Sequence, residues 1–240
     1  MNILTTDFHT HILPGIDDGS QSVEDAAEML HKEQLDGVST IIMTPHFYPH
    51  MMYPESFLEN RKFAIEKLRD SWPDDSEMPD IILGAEVQFC PGMSQWEQLD
   101  ALTIGDTGYI LIEMPFVKWN KSVYDELEKI YFNRGLTPII AHIERYFGFF
   151  NMRKVLNKLF KIPVMLQMNC EFITDKRTQR VALRLIAEQK IHFIGSDCHR
   201  PGWRAPIMAE ARNVLLDNLD QQALSFLANN ESIVVQKQIP

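Results

Sequence analysis

Imidazole and carboxylate side chains recur in this chain where short apolar runs end. Five of the eight histidines occupy such positions, and two of them form the pair His9-x-His11. Glu86, Glu113 and Asp197 end apolar runs in the same way. A carboxylate in apolar surroundings is costly without a cation beside it. A set of nitrogen and oxygen ligands without a central thiolate favours Mn²⁺, Fe or Zn²⁺. The pattern therefore predicts a polynuclear metal centre, with the ligand candidates His9, His11, His46, Glu86, Glu113, His142, Asp197 and His199.

Such a centre is suited to the hydrolysis of phosphate esters. Water bound to a metal ion has its pKa lowered toward about 7 and supplies a nucleophile at neutral pH. Arginine side chains bind phosphoryl oxygens bidentately. Arg145 follows His142 by three residues and Arg204 follows His199 by five, so both arginines can reach the same site. If a general acid acts on the leaving group, the candidates are Asp197, His199 and a metal-bound water.

The elements that must position these residues are strands and helices in alternation. Apolar residues are continuous at 81–83, 110–112 and 139–141, as expected for parallel strands buried on both faces. The segment 123–131 has apolar residues at helical spacing. The alternation predicts βαβ units with a parallel sheet, and in a barrel of such units the carboxyl ends of the strands meet at one mouth. The predicted strands are 2–7, 38–44, 80–87, 108–114, 137–142, 163–169 and 191–196.

Residues 47–54 follow the second predicted strand and are rich in aromatic residues, Met and Pro. At the mouth of a barrel they suit an aromatic wall for a substrate ring. Ordinary loop packing or an oligomer contact explains them equally well.

Composition sets outer bounds on the protein. The 240 residues contain no linker-like stretch, which predicts one domain over 1–240. The net charge of −10 argues against broad binding to nucleic acid or an anionic membrane. No signal-peptide pattern or membrane-spanning apolar stretch is present, so we expect no membrane insertion. Cys90, Cys170 and Cys198 form no C-x-x-C pair and are interpreted as reduced thiols, which predicts a cytoplasmic location.

Five motifs resemble the polymerase and histidinol phosphatase (PHP) superfamily. Within it, they look most like the bacterial manganese-dependent protein-tyrosine phosphatases of capsule and exopolysaccharide synthesis. The resemblance runs from Asp7 to about Arg204. The motifs are D-F-H-T-H-I-L-P-G-I-D-D-G at 7–19, T-P-H at 44–46, G-A-E at 84–86, A-H-I-E-R at 141–145 and G-S-D-C-H at 195–199.

The resemblance implies an α/β fold, a distorted (β/α)7 TIM-like barrel with three Mn²⁺ ions at the mouth. It adds Asp18 to the ligand candidates and implies that Arg145 and Arg204 bind the phosphate. It also implies that the partner is a phosphotyrosine protein, namely a bacterial tyrosine kinase of polysaccharide export. An oligomer is compatible with the same resemblance. The implied ligands are His9, His11, Asp18, His46, Glu86, Glu113, His142, Asp197 and His199.

A cysteine-dependent phosphatase is a rival hypothesis, because Cys198 and Arg204 have the spacing C-x5-R. In such enzymes a thiolate attacks phosphorus within a loop of backbone N–H groups. Pro201 removes one of those donors, and Asp197 would raise the pKa of the thiol. The sequence therefore favours metal-dependent hydrolysis.

Three further alternatives remain. An amidohydrolase also begins with H-x-H, but it commonly has a bridging lysine where Glu113 stands here. A histidinol phosphatase, or another hydrolase of small phosphomonoesters, would share the metal ligands and differ in the substrate pocket. A catalytically silent regulatory module would have lost ligands, and none is lost.

Overall fold

Parallel strands alternate with helices along the whole chain. The computed structural model describes residues 3–73, 77–148 and 151–236. The strands are β1 Thr6–Thr10, β2 Thr40–Met43, β3 His46–Phe47, β4 Asp80–Leu83, β5 Glu86–Gln88, β6 Tyr109–Glu113, β7 Thr137–Ile140, β8 Met165–Asn169 and β9 Phe193–Gly195. The helices are α1 Val23–Leu35, α2 Pro54–Ser71, α3 Lys121–Arg134, α4 Met152–Leu159, α5 Cys170–Thr174, α6 Gln179–Ala187, α7 Met208–Asn218 and α8 Gln221–Gln236.

Two short breaks divide what are otherwise seven strand positions. The chain passes from β2 to β3 through Thr44 and Pro45, and from β4 to β5 through Gly84 and Ala85. Pro45 has no N–H to donate to a neighbouring strand, which accounts for one break. Strands β1, β2 and β4 form one hydrogen-bonded sheet, and β3, β5, β6, β7, β8 and β9 form the other, with every pair parallel.

The sheet curls until its last strand lies beside its first. The N–H of Asp197 donates to the carbonyl of His9 at 2.7 Å, and that of His11 donates to the carbonyl of Cys198 at 2.9 Å. A Cβ on Gly195 would lie 2.7 Å from the Cβ of His9, so this close approach requires glycine. The curled parallel sheet confirms the predicted distorted (β/α)7 barrel.

Apolar side chains pack on both faces of the sheet. Along β2, Ile41 and Met43 belong to the large cluster that also contains the buried side chains of the helices, whereas Ile42 belongs to a smaller cluster. Because side chains alternate across a strand, the smaller cluster lies on the inner face of the curled sheet. Phe8 and Phe193 stack there with ring centroids 4.4 Å apart. Burial on both faces explains the continuously apolar strands.

Side-chain capping and burial stabilise the ends of the first and last helices. The hydroxyl of Ser22 accepts the N–H of Asp25 at 3.1 Å and caps α1. The last helix, α8, continues to Gln236 and buries Val234 completely. Within the described ranges, every helix is too short or too polar to cross a lipid bilayer.

Candidate metal centre

The carboxyl ends of the strands converge on one cluster of histidines and carboxylates. All members but Asp18 lie at, or within a few residues of, the end of a strand, and Asp18 lies in the loop between β1 and α1. Most members are fully buried, but 65 % of the Asp18 side chain is exposed. The structure brings together all the predicted ligands: His9, His11, Asp18, His46, Glu86, Glu113, His142, Asp197 and His199.

Glu86 lies at the centre of this cluster. Its Oε2 atom is 3.2 Å from His9 Nε2, 3.3 Å from His11 Nε2 and 3.0 Å from His46 Nδ1. Its other oxygen lies 2.7 Å from His142 Nε2. The side chain of Glu86 is completely buried. One carboxylate thus touches imidazoles from three strand positions, as a carboxylate bridging metal ions would.

Asp197 joins the first and last strands of the sheet at the same point. Its Oδ1 atom lies 3.4 Å from His11 Nε2, 3.6 Å from His9 Nε2 and 3.7 Å from His199 Nδ1. Its Oδ2 atom accepts a hydrogen bond from Asn169 Nδ2 at 2.8 Å. The two oxygens therefore face different partners, with Oδ1 toward the imidazoles.

Potential ligand atoms fall into three overlapping groups. In each group, the atoms lie within 4.8 Å of one another, and His11, His46 and Glu86 each belong to two groups. Residues that belong to two groups are expected in a centre where neighbouring ions lie close together. The groups are His11 with Asp18, His46 and His199; His9 with His11 and Glu86; and His46 with Glu86 and Glu113.

Buried polar atoms without hydrogen bonds test whether these residues fit a metal. Within the described part of the chain, Glu86 Oε2, His46 Nδ1 and His142 Nδ1 are buried and have no hydrogen-bond partner. Glu86 Oε2 and His46 Nδ1 are 3.0 Å apart without forming a hydrogen bond. Unsatisfied buried polar atoms are rare because each costs about 1–3 kcal/mol. A cation bound between Glu86 and His46 would satisfy both atoms. The nitrogen and oxygen donors fit a divalent transition-metal site.

The electrostatics of the carboxylates lead to the same conclusion. Burial alone would raise the pKa of Glu86, but the His9 and His46 imidazoles hold that pKa well below its usual range. Burial and the neighbouring Glu86 carboxylate raise the pKa of Glu113 to about 7. In one buried site, the negative charge of each carboxylate thus disfavours ionisation of the other. Bound cations would stabilise both as anions.

The two predicted arginines lie at the rim of the cluster. The Arg145 and Arg204 guanidinium groups both form ion pairs with Asp197 Oδ2. Arg204 Nη1 also lies 3.1 Å from His199 Nε2. Both side chains remain partly exposed, at 34 % and 25 %. They can therefore reach a phosphate bound over the cluster.

Tight turns carry both arginines back over the strand ends. His142 precedes a 3₁₀ helix at Ile143–Tyr146, and its carbonyl accepts the N–H of Arg145 at 2.9 Å. The carbonyl of Arg204 accepts the N–H of His199 at 2.9 Å. His142, Asp197 and Arg204 have φ values of 32°, 53° and 54°. This left-handed backbone costs energy in residues other than glycine, and such strain concentrates at functional sites.

Side chains outside the predicted set of ligands hold the ligand candidates in place. Asp17 Oδ2 lies 2.7 Å from His11 Nδ1. Gln167 Oε1 accepts the N–H of His142 at 2.7 Å and lies 3.3 Å from His9 Nδ1. Gln167 Nε2 donates to Asn169 Oδ1 at 2.9 Å. The spacing Gln167-x-Asn169 on a strand, like H-x-H, indicates two side chains on one face.

The geometry argues against nucleophilic attack by Cys198. The residue is completely buried. Burial, together with the Glu33 and Asp7 carboxylates, raises the pKa of its thiol well above the usual range. A buried, protonated thiol is a poor nucleophile. The C-x5-R spacing therefore places Arg204 near the site without making Cys198 part of the reaction.

The aromatic stretch that follows the second strand has a mixed role. Phe47 is buried in the core. Tyr48 stacks on the ring of His46, with centroids 4.9 Å apart. Met51 and Tyr53 are 71 % and 80 % exposed. One part of the stretch packs against the barrel, and another lines the approach to the metal centre.

Comparison with known proteins places this chain among proteins of capsule synthesis. The family described as capsular polysaccharide synthesis, CpsB/CapC, matches residues 5–236. Tyrosine-protein phosphatase CpsB of Streptococcus agalactiae is 26 % identical over 239 residues, which cover 95 % of this chain and 97 % of that protein. Tyrosine-protein phosphatase YwqE of Bacillus subtilis is 28 % identical over 243 residues, which cover 97 % and 92 %.

Solved structures agree with the sequence relationships. Crystal structures of YwqE from Bacillus subtilis and CpsB from Streptococcus pneumoniae, described as unique metal-dependent tyrosine phosphatases, include a chain that matches with a TM-score of 0.80 and 26 % identity. That match covers 96 % of this chain and 94 % of the other. A phosphotriesterase homology protein from Escherichia coli, complexed with phosphate, matches with a TM-score of 0.53 and 12 % identity, which supports the fold alone.

Proposed function

Because the chain belongs to the CpsB/CapC family of capsular polysaccharide synthesis, we propose that it is a metal-dependent protein-tyrosine phosphatase. The observation that carries this proposal is the contact of the Glu86 carboxylate with four imidazoles, at 2.7 to 3.3 Å. The names of the CpsB and YwqE relatives supply the reaction class.

Nine residues would hold the metal in this proposal. Bound ions would lower the pKa of water and neutralise charge on the phosphoryl oxygens. The overlapping ligand groups support three ions. We infer Mn²⁺ as the physiological ion, with Fe or Zn²⁺ as alternatives that suit the same donors. The nine proposed ligands are His9, His11, Asp18, His46, Glu86, Glu113, His142, Asp197 and His199.

Arg145 and Arg204 would bind the phosphoryl group. Each guanidinium is already held by Asp197, so little side-chain freedom is lost when phosphate binds. Their positive charge would stabilise the additional charge of the transition state. Burial alone would raise the pKa of Asp197, but the His9 and His11 imidazoles, with the Arg145 guanidinium, hold it well below its usual range. A carboxylate held ionised in this way favours a ligand role for Asp197 over proton donation.

The residues behind the ligands would set their orientation. The Asp17 carboxylate fixes the His11 ring through Nδ1 and leaves Nε2 facing Glu86. Gln167 Oε1 lies beside the His9 ring at Nδ1, and it accepts the backbone N–H of His142. Hydrogen bonds of this kind fix the tautomer and the ring direction of metal-binding histidines.

We further infer that the natural substrate is the phosphorylated tyrosine kinase that controls polysaccharide export, and that the reaction takes place in the cytoplasm. The capsule family supports this context. Hydrolysis of a small phosphomonoester, such as histidinol phosphate, is the alternative that the same ligands would permit.

Substrate comparison tests the proposal. The Mn²⁺-loaded protein should hydrolyse a phosphotyrosyl peptide with a kcat/KM far above that for the matched phosphoseryl peptide or histidinol phosphate. The tyrosine kinase, phosphorylated on its own tyrosine residues, should be dephosphorylated at least about as fast as the phosphotyrosyl peptide. A preference for histidinol phosphate over every phosphotyrosyl substrate would overturn the proposed function.

A further inference from the structure

A large apolar cleft opens beside the metal centre. Its volume is about 660 Å³. Rings form much of its wall, including Phe47, Phe89 and Trp96, with Pro49, Pro54 and Pro91. Gln88 and Glu97 are among its few polar neighbours. Clefts of this size and character bind apolar groups of ligands.

The cleft begins where the ligand-bearing strands end. His46 pairs with Glu86 across β3 and β5, and Phe47 pairs with Val87 one residue further along. Phe47 therefore directly follows one proposed ligand and forms part of the cleft wall. A second cavity, of about 370 Å³, lies against Asp18 and His46 and shares Phe47 and Met52 with the cleft. The two cavities are thus neighbours, with these two side chains in the wall of both.

The charges around the cleft restrict what it can bind. Of the described residues that line it, none is lysine or arginine, and Glu97 supplies a negative charge. A second phosphate or an acidic segment would meet His50 as the one basic side chain among these residues, with Glu97 opposing it. An apolar or aromatic side chain would bury its surface against rings and prolines, which is favourable.

We propose that this cleft binds an apolar side chain of the substrate polypeptide, close in sequence to the phosphotyrosine. The inference rests on the proposed phosphatase function and specifies its substrate as a protein segment with an apolar residue near the modified tyrosine. A small phosphomonoester would occupy the cavity at His46 and leave the apolar cleft empty.

Peptide scanning tests the inference directly. The parent peptide contains phosphotyrosine flanked only by serine and glycine, and a single phenylalanine is then moved one position at a time along it. All peptides carry the same charge. At one or two positions phenylalanine should raise kcat/KM at least about tenfold, as expected from burial of its side chain. No gain at any position would overturn the inference.

Substitutions in the cleft identify where the gain arises. Cys90 lines the cleft and is only partly buried, so Cys90→Trp should fill it. The ratio of kcat/KM for the best phenylalanine peptide to that for the parent peptide should fall to about 1 in this variant. Tyr53 is 80 % exposed at the cleft and its side chain makes no helix-capping bond, so Tyr53→Ser should lower the ratio without unfolding the protein.

A matched control uses Phe132, which is 71 % exposed on α3 and does not line the cleft. Phe132→Ser should keep the parent ratio. A ratio unchanged in both Cys90→Trp and Tyr53→Ser would overturn the cleft assignment. If the metal-loaded protein hydrolyses histidinol phosphate but no phosphotyrosyl peptide and no aryl phosphate, the proposed function fails, and the cleft inference fails with it.

Discussion

The Asp17 carboxylate and the His11 imidazole are joined by a short hydrogen bond, with Oδ2 2.7 Å from Nδ1. The same Oδ2 atom accepts the backbone N–H of His46 at 2.9 Å, and Oδ1 accepts that of Gly19 at 2.9 Å. A Cβ on Gly19 would lie 2.1 Å from the carbonyl of His11, so glycine lets this loop approach β1. Asp17 thereby fixes two proposed ligands from one position behind them.

Removal of the Asp17 carboxylate should weaken metal binding. In Asp17→Ala the His11 ring loses the acceptor that sets its tautomer and direction. Loss of a hydrogen bond that orients a metal-binding histidine typically lowers metal affinity or activity about 10- to 100-fold. Metal content after dialysis, measured with kcat/KM on a phosphotyrosyl peptide, checks this. Asp106→Ala, at an exposed aspartate, is the control. Equal metal content and activity in both variants would show that Asp17 does not position His11.

The two arginines should affect the substrate more than the metal. Arg145→Ala and Arg204→Ala should each lower kcat/KM about 10²- to 10³-fold, since each removes a charge-assisted donor to the phosphoryl group. Metal content should stay near that of the parent, because the imidazoles face the other oxygen of Asp197. Phosphate should also inhibit the variants less well. Arg180→Ala, at an exposed arginine, is the control. Parent-like kinetics in both variants would contradict the phosphate-binding role.

Replacement of Cys198 should leave catalysis largely intact. Its thiol is buried beside Asp7 and Glu33 and protonated, so Cys198→Ala removes no nucleophile. We expect a kcat/KM within a few-fold of the parent once stability is accounted for, and resistance of the parent to iodoacetamide. A loss of activity on the scale of the arginine variants, with metal still bound, would instead support the thiol mechanism.

The strand ends that carry the ligands could be predicted from the sequence, because six of the seven predicted strands have an imidazole or a carboxylate at or just beyond their ends. The pattern predicts Glu86 and Glu113 as ligands, and both lie in the cluster. The short spacings predict the arginines, since a turn of a few residues returns the chain over the same strand end. The local sequence pattern is therefore sufficient to predict that these residues lie at the site.

Other features depend on contacts between distant segments and could not be predicted in the same way. Asp17 acquires its role through the backbone of His46, which is 29 residues away. Gln167 acts through His9, which is 158 residues away. The last turns of α8, up to Gln236, bury Val234 against the inner cluster of the barrel. None of these partners follows from spacing along the chain.

His192 should make the fold sensitive to mild acid. Burial lowers the pKa of His192 to about 4, and its Nδ1 atom accepts the N–H of Leu166 at 3.1 Å. The unfolded chain binds a proton near pH 6.5, whereas the folded protein binds it only near pH 4, so stability falls as the pH drops through this window. The contribution to the free energy of unfolding is about 2 kcal/mol between pH 7 and pH 5.

His192→Asn supplies the control for that effect, because its Oδ1 atom can accept the same N–H without titrating. Urea unfolding of parent and variant at pH 7 and pH 5 measures the difference. The parent should lose about 2 kcal/mol more than the variant on acidification. Equal losses would mean that His192 is not the group responsible.

Metal removal tests the central claim most directly. The protein is stripped with EDTA, exchanged into metal-free buffer, and titrated with Mn²⁺, Fe²⁺ or Zn²⁺, while metal content and kcat/KM on a phosphotyrosyl peptide are measured in the same samples. We predict that activity is lost with the metal and returns as Mn²⁺ binds, in proportion to the occupied sites. Full phosphotyrosine hydrolysis by protein shown to contain no metal would contradict the account.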